Sequence, residues 1–187
     1  MTRTPLRRAP RAKLRRGRKR DLEELLALER AVFATDQLSQ RSLRHFLAAP
    51  TATLIVAGVE RTIAGYALVL YPPRSKLARL YSIAVAPHAG QRGIGSQLLA
   101  AAEAAARRRG RAVMRLEVHA GNARAIGRYE KSGYQRFGRH RDYYEDHADA
   151  LRFEKPLTAR KFAAVLANKA DSRRRIGFDG ERQARRL

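Results

Sequence analysis

Residues 77–110 read LARLYSIAVAPHAGQRGIGSQLLAAAEAAARRRG, an order that predicts a strand, a glycine turn and a helix. The apolar run at 77–85 indicates the strand, because a proline follows shortly after it. Residues 96–109 carry leucines and alanines on one helical stripe, and Gly110 is a typical C-terminal cap. The glycine turn opens this helix, whose first N–H groups are free to bind an anion such as a diphosphate.

Helical and strand patterns alternate through the rest of the chain. Asp21 is a candidate cap for a first helix, a second helix starts near Ser42, and Asn122 is a candidate cap for a later one. Further strands are predicted at residues 53–59, 63–70, 113–118, 134–137 and 150–153. This order predicts an α/β domain in which helices pack on a mixed sheet.

The glycine turn does not fit a dinucleotide-binding fold. That fold requires the pattern G-x-G-x-x-G, and the third glycine position is Leu98 in this sequence. A turn with two spaced glycines is common in proteins, so by itself it is a weak indication of a ligand site.

Two side chains in the second half are candidates for acid–base chemistry. Glu117 lies on the same strand face as Arg115, so it is either a general base or an acid paired with an arginine. Tyr129 lies on a predicted helix, where it is either a proton donor or a core aromatic residue. Taken alone, each pattern favours the structural role.

The composition excludes several classes of protein. The 187 residues include no cysteine, so neither a thiolate nucleophile nor a cysteine-bound zinc ion is available. The five histidines form no HExxH pair, and no apolar run approaches the roughly 18 residues of a membrane span. No apolar stretch follows the N-terminal charges, as a secretory signal would require. We therefore expect no metal, no membrane association and a cytoplasmic protein.

The net charge of +23 is concentrated at the two ends of the chain. Residues 1–20 contain ten Lys or Arg and no acid, and residues 158–187 have a net charge of +6. We expect a basic disordered arm at 1–18, a folded domain at 19–157 and a basic extension at 158–187. Such tails suit a ribosome or nucleic acid through counterion release, although a solvated tail or an organelle transit peptide has a similar composition.

Several ordered motifs together resemble the GNAT superfamily of N-acetyltransferases, and within it the RimI-like ribosomal-protein alanine N-acetyltransferases. The resemblance spans about residues 19–157 and is carried by IAVAP, GQRGIGSQLL, LEVHAGN, AIGRYEKSGY and YYEDHADALRFEKPL. It implies a GNAT fold, in which a mixed central sheet is splayed at the cofactor site and flanked by helices. It also implies acetyl-CoA as cosubstrate and a protein or peptide amine as acceptor.

The resemblance assigns roles to individual residues. Glu117 corresponds to the general base, Tyr129 to the general acid, and Tyr143 and Tyr144 to paired tyrosines beside the acceptor. The residues implied to bind the cofactor are Ile83, Ala84, Val85, Gln91, Arg92, Gly93, Ile94, Gly95, Ser96 and Asn122. The related loop usually begins with Arg or Gln where this chain has Gly90, so we expect differently placed or weaker phosphate contacts.

The reaction implied is direct acyl transfer in a ternary complex, since there is no cysteine to form an acetyl-enzyme. A protein α-amine has a pKa of about 7.7–8.0 against about 10.4 for lysine, so an N-terminal acceptor is easier to deprotonate. Two alternatives remain at this point. In the first, the acceptor of the acetyl group is a protein lysine or a small amine. In the second, the domain has no catalytic activity and binds RNA or ribosomes.

Overall fold

The structure is a computed structural model that describes residues 12–59, 62–89 and 93–158. Within this part of the chain a mixed sheet has seven strands in the order β1-β2-β3-β4-β5-β7-β6. Its strands are β1 (Lys13–Arg16), β2 (Ala52–Val59), β3 (Thr62–Leu70), β4 (Leu77–Val85), β5 (Val113–His119), β6 (Gln135–His140) and β7 (Ala150–Pro156). The β4–β5 pair is parallel, and all other neighbours are antiparallel.

Four α-helices accompany the sheet in the described residues. They are α1 (Leu22–Val32), α2 (Gln40–Ala48), α3 (Ile94–Arg108) and α4 (Ala123–Lys131). The predicted mixed α/β architecture is confirmed, with most element ends within two or three residues of the expected positions. The second helix begins earlier than predicted, because Ser39 caps it by accepting a hydrogen bond from the Ser42 N–H at 3.1 Å.

The helices cover both faces of the sheet. Gly65 on β3 packs against Leu98 of α3, whereas the next residue, Tyr66, donates a hydrogen bond to Glu29 of α1. Neighbouring residues of a strand point to opposite faces, so α1 and α3 lie on different sides of the sheet. The main core is made of the side chains buried between these layers.

The sheet is splayed between β4 and β5. Their ladder extends from Leu77↔Val113 to Leu80↔Leu116, after which the two strands are no longer paired. At the same point the β3–β4 register shifts, which makes Tyr81 an extra residue on β4. An extra residue bends a strand and increases its twist, so this bulge turns the end of β4 away from β5. The splay expected from the resemblance is confirmed.

Part of the predicted disordered arm is folded, which corrects the expectation for residues 1–18. Residues 13–16 form β1 at the edge of the sheet and pair with β2. The Arg15 guanidinium donates two hydrogen bonds to the Asp21 carboxylate, at 2.6 and 2.8 Å. A basic segment adopts this strand because its cations stay largely exposed and one of them is neutralised. Residues 1–11 and 159–187 lie outside the described residues.

Asp21 also differs from its predicted role as a helix cap. It precedes α1, but its side chain makes no capping bond to that helix. The carboxylate instead accepts from Arg15 and from the Arg18 N–H at 2.7 Å. Asp21 therefore fastens β1 and the turn that follows it to the domain.

In the part of the chain that the structure describes, no helix is long and apolar enough to cross a membrane. The same residues contain no group of three or more acidic or histidine side chains placed to hold a metal ion.

Candidate active site

The gap between β4 and β5 is lined on one side by the end of β4. Ile83, Ala84 and Val85 pair through one backbone edge with β3, in the register Ala67↔Ile83, Tyr66↔Ala84 and Gly65↔Val85. Because the ladder with β5 has ended, the other backbone edge of these residues faces the gap. A strand edge of this kind offers unpaired N–H and C=O groups to an extended ligand.

Glu117 lies on the opposite side of the gap, just past the last β4–β5 pair. Arg79 Nε donates to its Oε2 at 2.9 Å, and Arg152 Nε is 3.7 Å from its Oε1. Register explains the second contact, since Arg152 stands directly opposite Glu117 on β7. The carboxylate, whose side chain is 11% exposed, is thus held between two guanidinium groups.

The paired tyrosines pack beside Glu117. Arg79 Nη2 donates to the Tyr143 hydroxyl at 2.7 Å, so one arginine joins the carboxylate to this phenol. The Tyr144 ring lies 5.1 Å from the rings of Tyr143 and His119. Burial raises the pKa of both tyrosines, and the negative charge of Glu117 adds to both effects. Both phenols therefore stay protonated near neutral pH.

Tyr129 is buried on the other face of the sheet. Its ring meets Tyr134 edge-on at 5.7 Å and lies 6.4 Å from Phe153. Phe153 pairs with Leu116, so it points to the face opposite that of Glu117. Burial raises the pKa of Tyr129 to about 12, and the nearby charge of Arg128 opposes this rise. The phenol keeps its proton across the physiological range.

The structure brings three of the predicted site residues together on one face. Arg79 joins the Glu117 carboxylate to the Tyr143 hydroxyl, and the Tyr143 ring contacts that of Tyr144. Tyr129 lies on the other face, where its ring contacts Tyr134 and Phe153.

The glycine turn supplies the start of α3. Gly93 is its N-cap and has φ of 70°, a left-handed conformation that favours glycine. Ile94 and Gly95 are buried and Ser96 is exposed, so this first turn presents mainly backbone N–H groups. Gln91 and Arg92, the two polar residues assigned to the same loop, lie outside the described residues.

Asn122 is the N-cap of α4. Its Oδ1 accepts a hydrogen bond from the Ala125 N–H at 3.0 Å. The predicted helix cap is therefore confirmed. Because a primary amide has both an acceptor oxygen and a donor nitrogen, capping uses only one end of this side chain.

Two loops meet on the face that carries Glu117. Asp36, between α1 and α2, accepts from the Glu145 N–H at 3.2 Å, and its own N–H donates to Glu145 Oε2 at 3.3 Å. The loop that carries Tyr143 and Tyr144 is thereby joined to the α1–α2 loop. Because Tyr143 also accepts from Arg79, the joined loops are connected to the strand face that carries Glu117.

Glu29, on α1, anchors the α1–α2 loop to the sheet. This buried carboxylate accepts from the Leu38 N–H at 2.6 Å and from the Tyr66 hydroxyl, which also contacts Ser82 Oγ at 2.6 Å. Burial raises the pKa of Glu29 despite these two donors. The carboxylate accepts hydrogen bonds from both the α1–α2 loop and the sheet, so it has a structural role beside the site.

Sequence reasoning missed Arg79 and Arg152, which frame Glu117. Both alternate with apolar residues along their strands, a pattern that places them on the correct face. Their contact with Glu117 depends on the registers of β4, β5 and β7, which a single sequence does not reveal. The pair that includes Arg79 also crosses a parallel junction between distant segments.

A splayed sheet with a carboxylate on one face, and a buried phenol and a glycine-led helix on the other, is suited to an acyltransferase that uses an extended thioester. The Acetyltransferase (GNAT) family profile matches residues 20–134, which is more than half of the chain. The protein therefore belongs to the GNAT acetyltransferase family. No curated protein matches it.

Solved structures share this fold. The ribosomal-protein-S18-alanine N-acetyltransferase from Escherichia coli is 25% identical, has a TM-score of 0.71, and aligns over 79% of this chain and 94% of its own. The ribosomal-protein-alanine N-acetyltransferase from Brucella melitensis is 26% identical with a TM-score of 0.68, over 77% of this chain and 99% of its own. The structure of yncA from Salmonella typhimurium, which contains acetyl-CoA, has a TM-score of 0.68 over 79% and 94% of the two chains. At 19% identity, yncA shows the fold alone.

Proposed function

We propose that the protein transfers the acetyl group of acetyl-CoA to the α-amine of a protein N-terminus, within a ternary complex. The observation that carries this proposal is the opening between β4 and β5, with Glu117 on one face and Tyr129 on the other. Two of the similar solved structures are alanine N-acetyltransferases of ribosomal proteins, which supports the choice of acceptor.

The cosubstrate would lie in this opening, along the unpaired edge of β4. The N–H groups of residues 93–96, together with Gln91 and Arg92, would hold the diphosphate. The free edge of Ile83, Ala84 and Val85 would pair with the pantetheine arm, and the amide nitrogen of Asn122 would donate to it. The unpaired strand edge and the uncapped first turn of α3 fit such a ligand.

Glu117 is suited to accept the proton of the attacking amine, directly or through a water. An ionised carboxylate has about four acceptor positions, so the hydrogen bond from Arg79 leaves others available. When the amine nitrogen bonds to the acetyl carbon, the thioester oxygen becomes an oxyanion, which backbone N–H groups near Val85 would stabilise. The carbon–sulfur bond then breaks as the oxyanion collapses, and Tyr129 gives its proton to the departing thiolate.

The energetics favour an α-amine over a lysine. Deprotonating lysine near neutral pH costs about 3 kcal/mol more, given about 1.4 kcal/mol for each pKa unit. One general base can therefore deprotonate an α-amine more easily than a lysine. Tyr143 and Tyr144, with the joined loops around Asp36 and Glu145, would shape the approach of the acceptor chain.

An acceptor panel with labelled acetyl-CoA tests this function. It contains a lysine-free peptide with a free N-terminal alanine, the same peptide N-formylated with one added lysine, and spermidine. We expect label on the free N-terminus at a kcat/KM at least tenfold above the other two. Preferential labelling of the blocked peptide or of spermidine would reassign the acceptor. Absence of transfer to all three, with tight binding of RNA, would favour a non-catalytic module.

A further inference from the structure

Arg128 belongs to α4, yet its side chain reaches the first turn of α3. A Cβ on Gly95 would lie 2.8 Å from Arg128 Cζ and Nη1, and 3.2 Å from Nη2. The guanidinium therefore fills the space that any larger residue at position 95 would need. Arg128 directly precedes Tyr129 and is partly buried, and its guanidinium lies against the glycine-led start of α3.

The electrostatic surroundings of this cation favour the binding of an anion. The free N–H groups at the start of α3 carry the positive end of the helix dipole. The first turns of α3 and α4 contain no acidic residue. A guanidinium held against a positive helix end is disfavoured, and an anion bound between the two would reverse that repulsion.

We propose that Arg128 binds the diphosphate of acetyl-CoA, as a cation that α4 contributes to the site at the start of α3. This inference rests on the proposed function. The planar guanidinium can donate to two phosphate oxygens at once, so it adds a charged bidentate contact to those of the backbone N–H groups.

Binding of three ligands, measured by calorimetry without an acceptor, tests this role. Acetyl-CoA carries the diphosphate and a 3′-phosphate, acetyl-dephospho-CoA keeps only the diphosphate, and acetyl-pantetheine has neither. Arg128→Gln should weaken the first two by about tenfold to a hundredfold, as expected for a charge-assisted hydrogen bond of about 1.5–3 kcal/mol. It should leave the third unchanged. Arg128→Lys should keep part of the affinity.

Two further variants separate this contact from a general charge effect. Arg108→Gln removes the same charge at the far end of α3, where the side chain is exposed, and should leave all three affinities unchanged. Gly95→Ala should weaken binding by displacing the guanidinium, and should add little when Arg128 is already replaced by Gln.

The outcomes distinguish this inference from the function beneath it. If the wild type binds none of the ligands, the proposed function fails. If the wild type prefers acetyl-CoA to acetyl-pantetheine and Arg128→Gln leaves that preference intact, the assignment of Arg128 is overturned alone. Equal weakening of all three ligands, or weakening of acetyl-CoA without acetyl-dephospho-CoA, would also overturn a diphosphate contact.

Discussion

Three strands contribute side chains to the charged cluster around Glu117, which itself lies on β5. Arg79 comes from β4 and Arg152 from β7, and both guanidiniums approach the carboxylate from within the sheet. These two ion pairs hold the carboxylate in place through residues of the sheet alone. Its neighbour Tyr143 is held by the same Arg79, so a change at Glu117 tests the proton acceptor while Arg79 still anchors the phenol.

Glu117→Gln should lower kcat about a hundredfold or more with an N-terminal peptide, because general-base catalysis is typically worth about 10²–10⁴. The glutamine keeps an acceptor oxygen for Arg79, so the fold should survive. Rates measured across pH check this, with Glu130→Gln on the exposed side of α4 as a matched control. A variant with near-native kcat at every pH would remove Glu117 from the mechanism.

Tyr129→Phe should change how stability depends on alkaline pH. The folded pKa of about 12 exceeds the unfolded value near 10, so between these values the native state keeps a proton that the unfolded chain releases. Stability from this group is complete below about pH 10 and falls as pH rises through the window. Urea unfolding at pH 9 and pH 11 measures it. The free energy of unfolding of the wild type, relative to that of the Tyr129→Phe variant, should fall between pH 9 and pH 11, and a constant difference would contradict the burial described here.

At the scale of single residues, sequence patterns located Glu117 and Tyr129 only when several motifs were taken together. Each alone was more typical of a paired acid and a core aromatic. The structure shows the features of both structural interpretations, since Glu117 is ion-paired and Tyr129 is buried, and the catalytic roles stay predictions. Their contacts depend on strand register, for which the sequence carries no local signal.

Two glycines in different elements should respond to the same substitution with opposite sign. Gly93 has φ of 70°, so Gly93→Ala should destabilise the fold by about 1–2 kcal/mol. Gly127 lies inside α4 with no heavy atom within 4 Å of a new Cβ, so Gly127→Ala should stabilise it by up to about 1 kcal/mol. Urea unfolding of both variants measures the two effects. Effects of the same sign would contradict the left-handed cap or the open helical position.

The attachment of β1 depends on Asp21. Asp21→Asn should destabilise the protein by about 2 kcal/mol, because it weakens a charge-assisted pair with Arg15. The hydrogen bonds from Arg15 lower the pKa of Asp21, so this stability is complete above the ordinary carboxyl pKa and is lost as pH falls through the lowered value.

Hydrogen exchange measures this attachment directly. The β1 amides that pair with β2 should exchange faster in Asp21→Asn, while Glu23→Gln, an exposed substitution two residues later, should leave them unchanged. Unaltered protection of β1 in Asp21→Asn would mean that the strand is held by its backbone pairing alone.

Sequence periodicity predicted most helices and strands but not β1, and this exception has a physical reason. An arginine-rich segment without apolar alternation has the composition of a disordered tail. It forms β1 because β2 presents a free edge and the buried Asp21 carboxylate binds Arg15, and both come from later in the chain. The splay is likewise invisible to periodicity, since it arises where the bulge at Tyr81 meets the end of the β4–β5 ladder.

The net charge of the whole molecule, +23, leads to a proposal about the tails. We propose that residues 1–11 help the enzyme associate with RNA or ribosomes. A chain that begins at residue 12 keeps β1 and loses four arginines. Its binding to single-stranded RNA should depend less steeply on salt, with a slope in log K against log salt smaller by up to about 3. A flat salt response in the full chain would end this proposal.

At the scale of the whole molecule, we propose that one opening through the sheet receives the thioester from one face and the amine from the other. A crystal structure with coenzyme A joined to an N-terminal peptide measures this most directly. We predict the diphosphate at the first turn of α3, the sulfur between the ends of β4 and β5 beside Tyr129, and the peptide nitrogen on the side of Glu117. Coenzyme bound elsewhere, or a peptide entering from the Tyr129 side, would contradict the account.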